Sequence, residues 1–141
     1  MFKSSTHIRV KYAETDQMGV VYHGHYAAYF EASRGEAIRS LGITYRDIEN
    51  SGILMPVVEL EIKYLRPAQY DDLLTVVTLL KEWPTDHRIR FHHEVYNEAG
   101  KLLTTGSVLL FFLHAIDKTK MKMPELLEEK LKNAFTSSHN P

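Results

Sequence analysis

The stretch Tyr26-Ala-Ala-Tyr29-Phe30-Glu31-Ala-Ser33-Arg34-Gly35-Glu-Ala37-Ile-Arg-Ser-Leu41-Gly42 decides how the chain folds. Tyr29, Phe30, Ser33, Ala37 and Leu41 recur at helical spacing, and Gly42 follows as a left-handed C-terminal cap. Six of the positions carry small side chains: Ala27, Ala28, Ala32, Ser33, Gly35 and Ala37. A glycine inside a helix costs about 1 kcal/mol relative to alanine. Such a composition predicts a helix surface that lets a sheet approach closely.

Downstream, Thr44 reads as the cap of a short helix that ends at Asn50, before Ser51-Gly52. From Val57 to Leu65, Val58, Leu60, Ile62 and Tyr64 alternate with Glu59, Glu61 and Lys63, a half-buried strand that Pro67 ends. Leu73 to Lys81, His87 to Tyr96 and Lys101 to Leu113 read as three more strands, with a hairpin turn at Asn97-Glu-Ala-Gly100. Val108 to Leu113 is apolar on both faces, which predicts a central or doubly covered strand. Pro124 to Lys132 reads as a C-terminal helix and residues 136–141 as a frayed tail. The order predicts a single α+β domain over residues 1–141, an antiparallel β-sheet wrapped around one long central α-helix. Leu79, Leu103, Leu109 and Phe111 offer an apolar outer face or edge, so self-association is expected.

Composition narrows the function. A chain of 141 residues, 44% hydrophobic and 25% charged, fits one ordinary domain. Seventeen Lys and Arg against eighteen Asp and Glu leave a formal charge of -1, with no basic field to attract nucleic acid or an anionic membrane. The absence of cysteine removes disulfides, thiolate nucleophiles and thiolate metal sites, so a nucleophile must be oxygen or nitrogen. No apolar run approaches the roughly 20 residues needed to span a bilayer, and the start has no signal-peptide core, so a cytoplasmic location is expected.

Chemistry concentrates upstream of the long helix. Ile8 to Tyr12 alternates as a short strand and leads into Tyr12-Ala-Glu14-Thr-Asp16-Gln-Met-Gly19-Val-Val-Tyr22-His23-Gly-His25-Tyr26. Asp16 could activate water, while the free N–H groups at the helix start could face a developing oxyanion. The plainer role for Asp16 is to cap its own loop by accepting local N–H bonds. Glu14 reads as a solvated neighbour, and Gly19 as the position where a positive φ folds the loop back toward Asp16.

Val10-Lys-Tyr12-Ala-Glu14-Thr-Asp16, Gly19-Val-Val-Tyr22-His23, Tyr26-Ala-Ala-Tyr-Phe30-Glu31-Ala-Ser-Arg34, Tyr64-Leu-Arg-Pro67-Ala68, Asp71-Asp72 and Asp117-Lys-Thr-Lys-Met121-Lys carry a family resemblance. Over residues 8–125 the chain resembles hotdog-fold acyl-CoA thioesterases of the 4-hydroxybenzoyl-CoA thioesterase family, most of all the Tol-Pal-associated subgroup. The resemblance implies a hotdog fold and hydrolysis of an acyl-CoA to a free acid and coenzyme A, with no metal or other cofactor. It also implies a site between two subunits of a homodimer or a dimer-of-dimers tetramer. Within it, Asp16 is the general base or nucleophile, and His23 acts through its backbone N–H or its ring. Tyr12 lies beside the acid, and Gly19 and Tyr22 belong to the substrate-binding loop. One position departs from the subgroup, which has Ser or Asn where this chain has His25, a poorer N-cap.

Several other residues invite roles. Glu31 and Arg34 read as a structural pair three apart on the helix, although another hotdog branch carries its catalytic Glu there. Arg88 and Arg90, with His92, fall on one face of a strand and could meet the phosphates of coenzyme A, with Lys120 and Lys122 as alternatives. His92 and His93 point to opposite faces and so do not share a metal ion. Tyr29, Phe30 and Met55 are candidates for an acyl pocket. Fold alone leaves two rival readings, a dehydratase acting on hydroxyacyl thioesters and a non-catalytic acyl-CoA sensor.

Overall fold

A computed structural model describes residues 1–139, with side chains described through Phe135. In chain order its elements are β1 (Phe2–Arg9), α1 (Tyr26–Ser40), α2 (Tyr45–Asn50), β2 (Ile53–Leu54), β3 (Val57–Tyr64), β4 (Leu73–Leu80), β5 (Arg88–Tyr96), β6 (Leu102–Phe111), β7 (Leu113–His114) and α3 (Glu125–His139). Five strands form one antiparallel sheet in the order β1-β4-β5-β6-β3, and β2 pairs with β7. The sheet curves over α1, the expected arrangement of strands around one central helix.

α1 turns Tyr26, Tyr29, Phe30, Ser33, Ala37 and Ile38 inward. The closest approach is made possible by the sheet: a Cβ on Gly106 in mid-β6 would stand 2.3 Å from the Phe30 ring, so only glycine leaves room for it. By contrast, a Cβ on Gly35 would meet nothing within 4 Å, so the glycine inside the helix is not what admits the sheet. Ser33 bonds the Thr78 hydroxyl at 2.6 Å and fastens α1 to β4. Gly42, with φ of 94°, turns the chain out of α1, and Thr44 and Asp47 form a reciprocal cap on α2.

Four expectations need correction. β1 begins at Phe2 rather than Ile8, because it pairs with β4 from Phe2↔Leu80 to Arg9↔Leu73, and its polar residues Ser4 and Thr6 conceal the inward face. α3 runs past Lys132 to His139, through part of the predicted frayed tail; residues 140–141 lie outside the described residues. The buried stripe of Leu127 and Leu131 continues to Phe135, whose ring centroid is 5.5 Å from that of Trp83. Leu103 lies in the core, and Leu79 and Leu109 are already buried, so they do not form an apolar outer patch.

The fourth correction concerns β3, which is exposed along nearly its whole length instead of half-buried. Five strands spaced about 4.8 Å apart place the outer two roughly 19 Å from each other, whereas a helix is about 10–12 Å across. α1 packs on the β1 and β4 side. The inward-facing Val58, Leu60 and Tyr64 on the opposite edge are left 44–50% exposed.

A polar cluster lies beneath α1. The His93 ring stacks on Phe30 at 4.6 Å and its Nε2 is 3.4 Å from an Arg34 Nη. Burial, with the Arg34 charge beside it, pushes the His93 imidazole down to about 3, so it is neutral at physiological pH. Arg34 is thereby turned inward at 5% exposure while Glu31 stays exposed, and the predicted Glu31–Arg34 pair does not form. His92 occupies the opposite face of β5, as strand alternation requires.

Candidate active site

The loop after β1 is built by its backbone. A single 3₁₀ turn spans Tyr12–Glu14. Beyond it the Asp16 N–H donates to Val20 O at 2.8 Å and Gly19 N–H returns to Asp16 O at 3.0 Å. Gly19 has φ of 76°, a left-handed conformation that costs glycine nothing. The Asp16 carboxylate accepts the Met18 N–H at 2.8 Å through Oδ1, and among the described residues its other oxygen meets no donor. Val21 N–H donates to Ala68 O at 2.8 Å, which stitches the loop to the segment following β3.

Tyr22 N–H donates to Glu14 O at 2.9 Å, and a second 3₁₀ turn over His23–His25 then runs directly into α1. The N–H groups of His23 and Gly24, first in that turn, have no acceptor within it. Tyr64, at the end of β3, donates its hydroxyl to His23 O at 2.8 Å and fixes the turn against the sheet edge.

Between these parts lies an open cavity of about 290 Å³, lined among others by Asp16, His23, Tyr26, Tyr64 and Arg66. Asp16 and His23, far apart on the loop, thus face one space beside a helix start. A carboxylate can there deliver or activate an attacking oxygen while backbone N–H groups meet the charge that develops on a carbonyl.

Other predicted residues sit elsewhere. Tyr12 is 78% exposed, with its ring edge-on to Tyr70 at 5.7 Å, outside the cavity lining. Tyr22 is half-exposed with its ring 4.4 Å from that of His23. Tyr29 and Phe30 are buried in the core, Met55 packs against it, and none of them lines the cavity.

Arg88 and Arg90 point from the sheet face opposite α1, and Arg90 is engaged by Ser107 at 2.7 Å and Glu59 at 3.5 Å. Arg88 sits opposite Phe111 on β6, while Tyr64 of the cavity sits opposite Thr104. At about 3.3 Å per residue, roughly 23 Å of strand separates the two. The alternation that puts both arginines on one face therefore puts them on the wrong one for the Asp16 cavity of their own chain. Lys120, over the Phe111 ring at 5.4 Å, belongs to the same distant end. Among the described residues no cluster of three or more His, Cys, Asp or Glu side chains could hold a metal ion.

Glu14 is not the solvated neighbour expected from sequence. Its Oε1 accepts the Lys11 N–H at 2.8 Å and the Tyr29 hydroxyl at 2.9 Å, and its Oε2 lies 3.1 Å from His25 Nε2. Burial alone would raise its pKa, but these donors and the nearby His25 outweigh burial and hold the carboxyl below its ordinary value. Burial and the Glu14 partner push the Tyr29 phenol far up. His25 is thus explained: its ring makes no N-cap bond and instead joins the carboxylate that ties the loop to α1. The spacing gave no sign of this, because the three residues meet only once loop and helix are folded together.

Comparisons with known proteins supply the family. Residues 10–131 match the family model for the thioesterase-like superfamily. A putative acyl-CoA thioesterase, YneP of Bacillus subtilis, is 40% identical over 102 residues, covering 72% of this chain and 73% of the relative. The acyl-CoA thioester hydrolase YbgC of Escherichia coli is 29% identical over 128 residues, 91% of this chain and 92% of the relative. The crystal structure of a DHNA-CoA thioesterase from Staphylococcus aureus superposes with a TM-score of 0.87 at 34% identity, covering 99% of this chain and 92% of that one. The match across residues 10–131 and the shared architecture together make the chain a hotdog-fold member of the thioesterase-like superfamily.

Proposed function

We propose that the protein hydrolyses an acyl-CoA thioester in the cavity shared by Asp16 and the start of α1. As a thioester hydrolase it needs a carbonyl held beside an acid and an electrophilic donor. The observation that carries the assignment to this site is that Asp16 and His23 line one cavity at the first free N–H groups of the helical segment. Asp16 acts as general base on water or as nucleophile on the carbonyl, and the N–H groups at His23 and Gly24 stabilise the oxyanion. Tyr12 and Tyr22 are placed at the exposed margin, where an incoming substrate meets them.

The active unit in this proposal is at least a dimer. Tyr64 and Leu65 line the cavity and also belong to the bare edge formed by β3 and its continuation, where Val57, Val58 and Leu60 are 44–48% exposed. A second copy pairing along β3 would cover that edge and close the open side of the cavity. A further pairing of dimers would give the tetramer that the family resemblance suggests.

The test is thiol release from a panel of acyl-CoAs by wild type, Asp16→Asn and His23→Ala. Asp16→Asn is expected to lower kcat by about 10²–10⁴-fold. His23→Ala retains most turnover when the backbone donates and loses it when the ring takes part. Equal rates for wild type and Asp16→Asn on every hydrolysed ester would refute the role of the acid.

A further inference from the structure

Two adjacent peptide units carry the N–H groups that the proposed reaction uses, and the carbonyl of each is engaged. The unit that ends in the His23 N–H begins with Tyr22 C=O, which accepts the His25 N–H at 2.9 Å. The unit that ends in the Gly24 N–H begins with His23 C=O, and its donor is a side chain, the Tyr64 hydroxyl at 2.8 Å. Tyr64 is the last residue of β3 and lines the cavity together with Asp16 and His23. A single hydroxyl from the sheet edge therefore acts on the peptide whose other end is a candidate oxyanion donor.

The surroundings of that peptide hold it in place. The Tyr64 ring stands edge-on to His23 at 6.4 Å and to Tyr26, the first residue of α1, at 5.6 Å. Tyr26 is 2% exposed, so this neighbour is fixed in the core. On the other side the Tyr22 ring lies over the Gly24 backbone, where an added Cβ would stand 2.6 Å from it. The His23–Gly24 peptide is confined by Tyr22 and tied by Tyr64, which limits its rotation. Donation into a peptide oxygen also draws electron density from the peptide nitrogen, and such cooperativity strengthens the next hydrogen bond by about 10–30%.

We propose that Tyr64 is a positioning residue of the oxyanion site, its hydroxyl orienting and polarising the His23–Gly24 peptide so that the Gly24 N–H meets the developing oxyanion as a stronger donor. The inference rests on the thioesterase reading above. Charge grows on the carbonyl oxygen only as the thioester is attacked, so the bond acts on kcat and leaves substrate binding nearly unchanged. Removing an oxyanion donor outright costs about 10²–10³-fold in kcat, and a change of about 10–30% in its strength is then worth about 2–8-fold. In a single chain Tyr64 is 50% exposed and water competes for its hydroxyl; the second copy proposed above would cover it.

The test begins with Tyr64→Phe, which keeps the ring contacts and removes only the hydroxyl. Wild type, Tyr64→Phe and Asp16→Asn are compared on an acyl-CoA and on the matching dithioester, whose carbonyl oxygen is replaced by sulfur, a weak acceptor. Sedimentation fixes a protein concentration at which all three form the same species. Tyr64→Phe should lower kcat on the thioester by about 2–8-fold with KM unchanged, and the deficit should nearly vanish on the dithioester. Placing 3-fluorotyrosine at position 64, a more acidic donor of almost the same shape, should raise kcat above wild type at pH 7. Wild-type kcat in Tyr64→Phe beside an impaired Asp16→Asn would overturn the role of Tyr64 and leave the thioesterase reading standing. Equal deficits on both esters, a change in KM rather than kcat, or a fluorotyrosine enzyme no faster than wild type would likewise overturn it. A wild type that hydrolyses no ester would end the thioesterase reading and this inference with it.

Discussion

Replacing Glu14 by alanine should loosen the Asp16 loop from α1, and the size of the effect follows from the three donors it leaves behind. The Tyr29 hydroxyl, in a residue only 2% exposed, loses its acceptor in a place water reaches poorly. An unsatisfied buried donor costs about 1–3 kcal/mol. The His25 partner is a third exposed, so its pairing adds about 0–1 kcal/mol. The Lys11 N–H is exposed and turns to solvent at little cost. The sum is about 1–4 kcal/mol, a fall in Tm of roughly 3–12 °C for a domain of this size. Glu14→Gln keeps an acceptor for Tyr29 and Lys11 but loses the charge, so its loss should be smaller and depend on pH. Because the folded state holds the Glu14 carboxyl below its ordinary value of 4.5, its charge stabilises the fold above that pH. That contribution disappears as pH falls through the lower folded value. Thermal unfolding followed by circular dichroism between pH 3 and 8, beside thioester hydrolysis by the same samples, measures both effects. An alanine variant melting within 1 °C of wild type at pH 7 would refute the tether, and a Glu14→Gln deficit that persists unchanged at pH 3 would refute its electrostatic part.

Two more outcomes follow from the packing. Gly106→Ala drives a methyl group to 2.3 Å from the Phe30 ring, and overpacking of this kind costs about 1–3 kcal/mol; Tm should fall by several degrees and recover in part when Phe30→Leu is added, and an unchanged Tm in the single variant would contradict the close contact. Leu60→Lys places a charge on the bare β3 edge, so sedimentation should show a smaller species than wild type at the same concentration, whereas identical assembly would remove β3 as the proposed interface.

Much of the fold was legible because helical and strand periods survive in the sequence wherever one face is buried. The span of α1 and the strand spans of β4 to β6 follow that rule, and β3 keeps its alternation although one chain leaves it exposed. β1 was largely missed because Ser4 and Thr6 stand at its inward positions. Periodicity also gave the correct face for Arg88 and Arg90 without telling where the Asp16 cavity lies, which depends on the loop stitched to Ala68. The Asp16 loop was conspicuous as an acid, a glycine and an imidazole in one short run. The Glu14, His25 and Tyr29 assembly was not, since it joins residues whose separation in sequence carries no repeat. The finer Tol-Pal-associated grouping rests on motif resemblance alone.

The mismatch in width between one helix and five strands has a consequence for how this protein can be regulated by amount. Tyr64 lines the cavity, braces the His23 turn and stands on the uncovered strand, so the wall of the candidate site coincides with the edge that the proposed second copy would cover. In the proposed dimer the unit that folds and the unit that works would differ in size. Specific activity would become a function of protein concentration, low when chains are dilute and constant once they are paired.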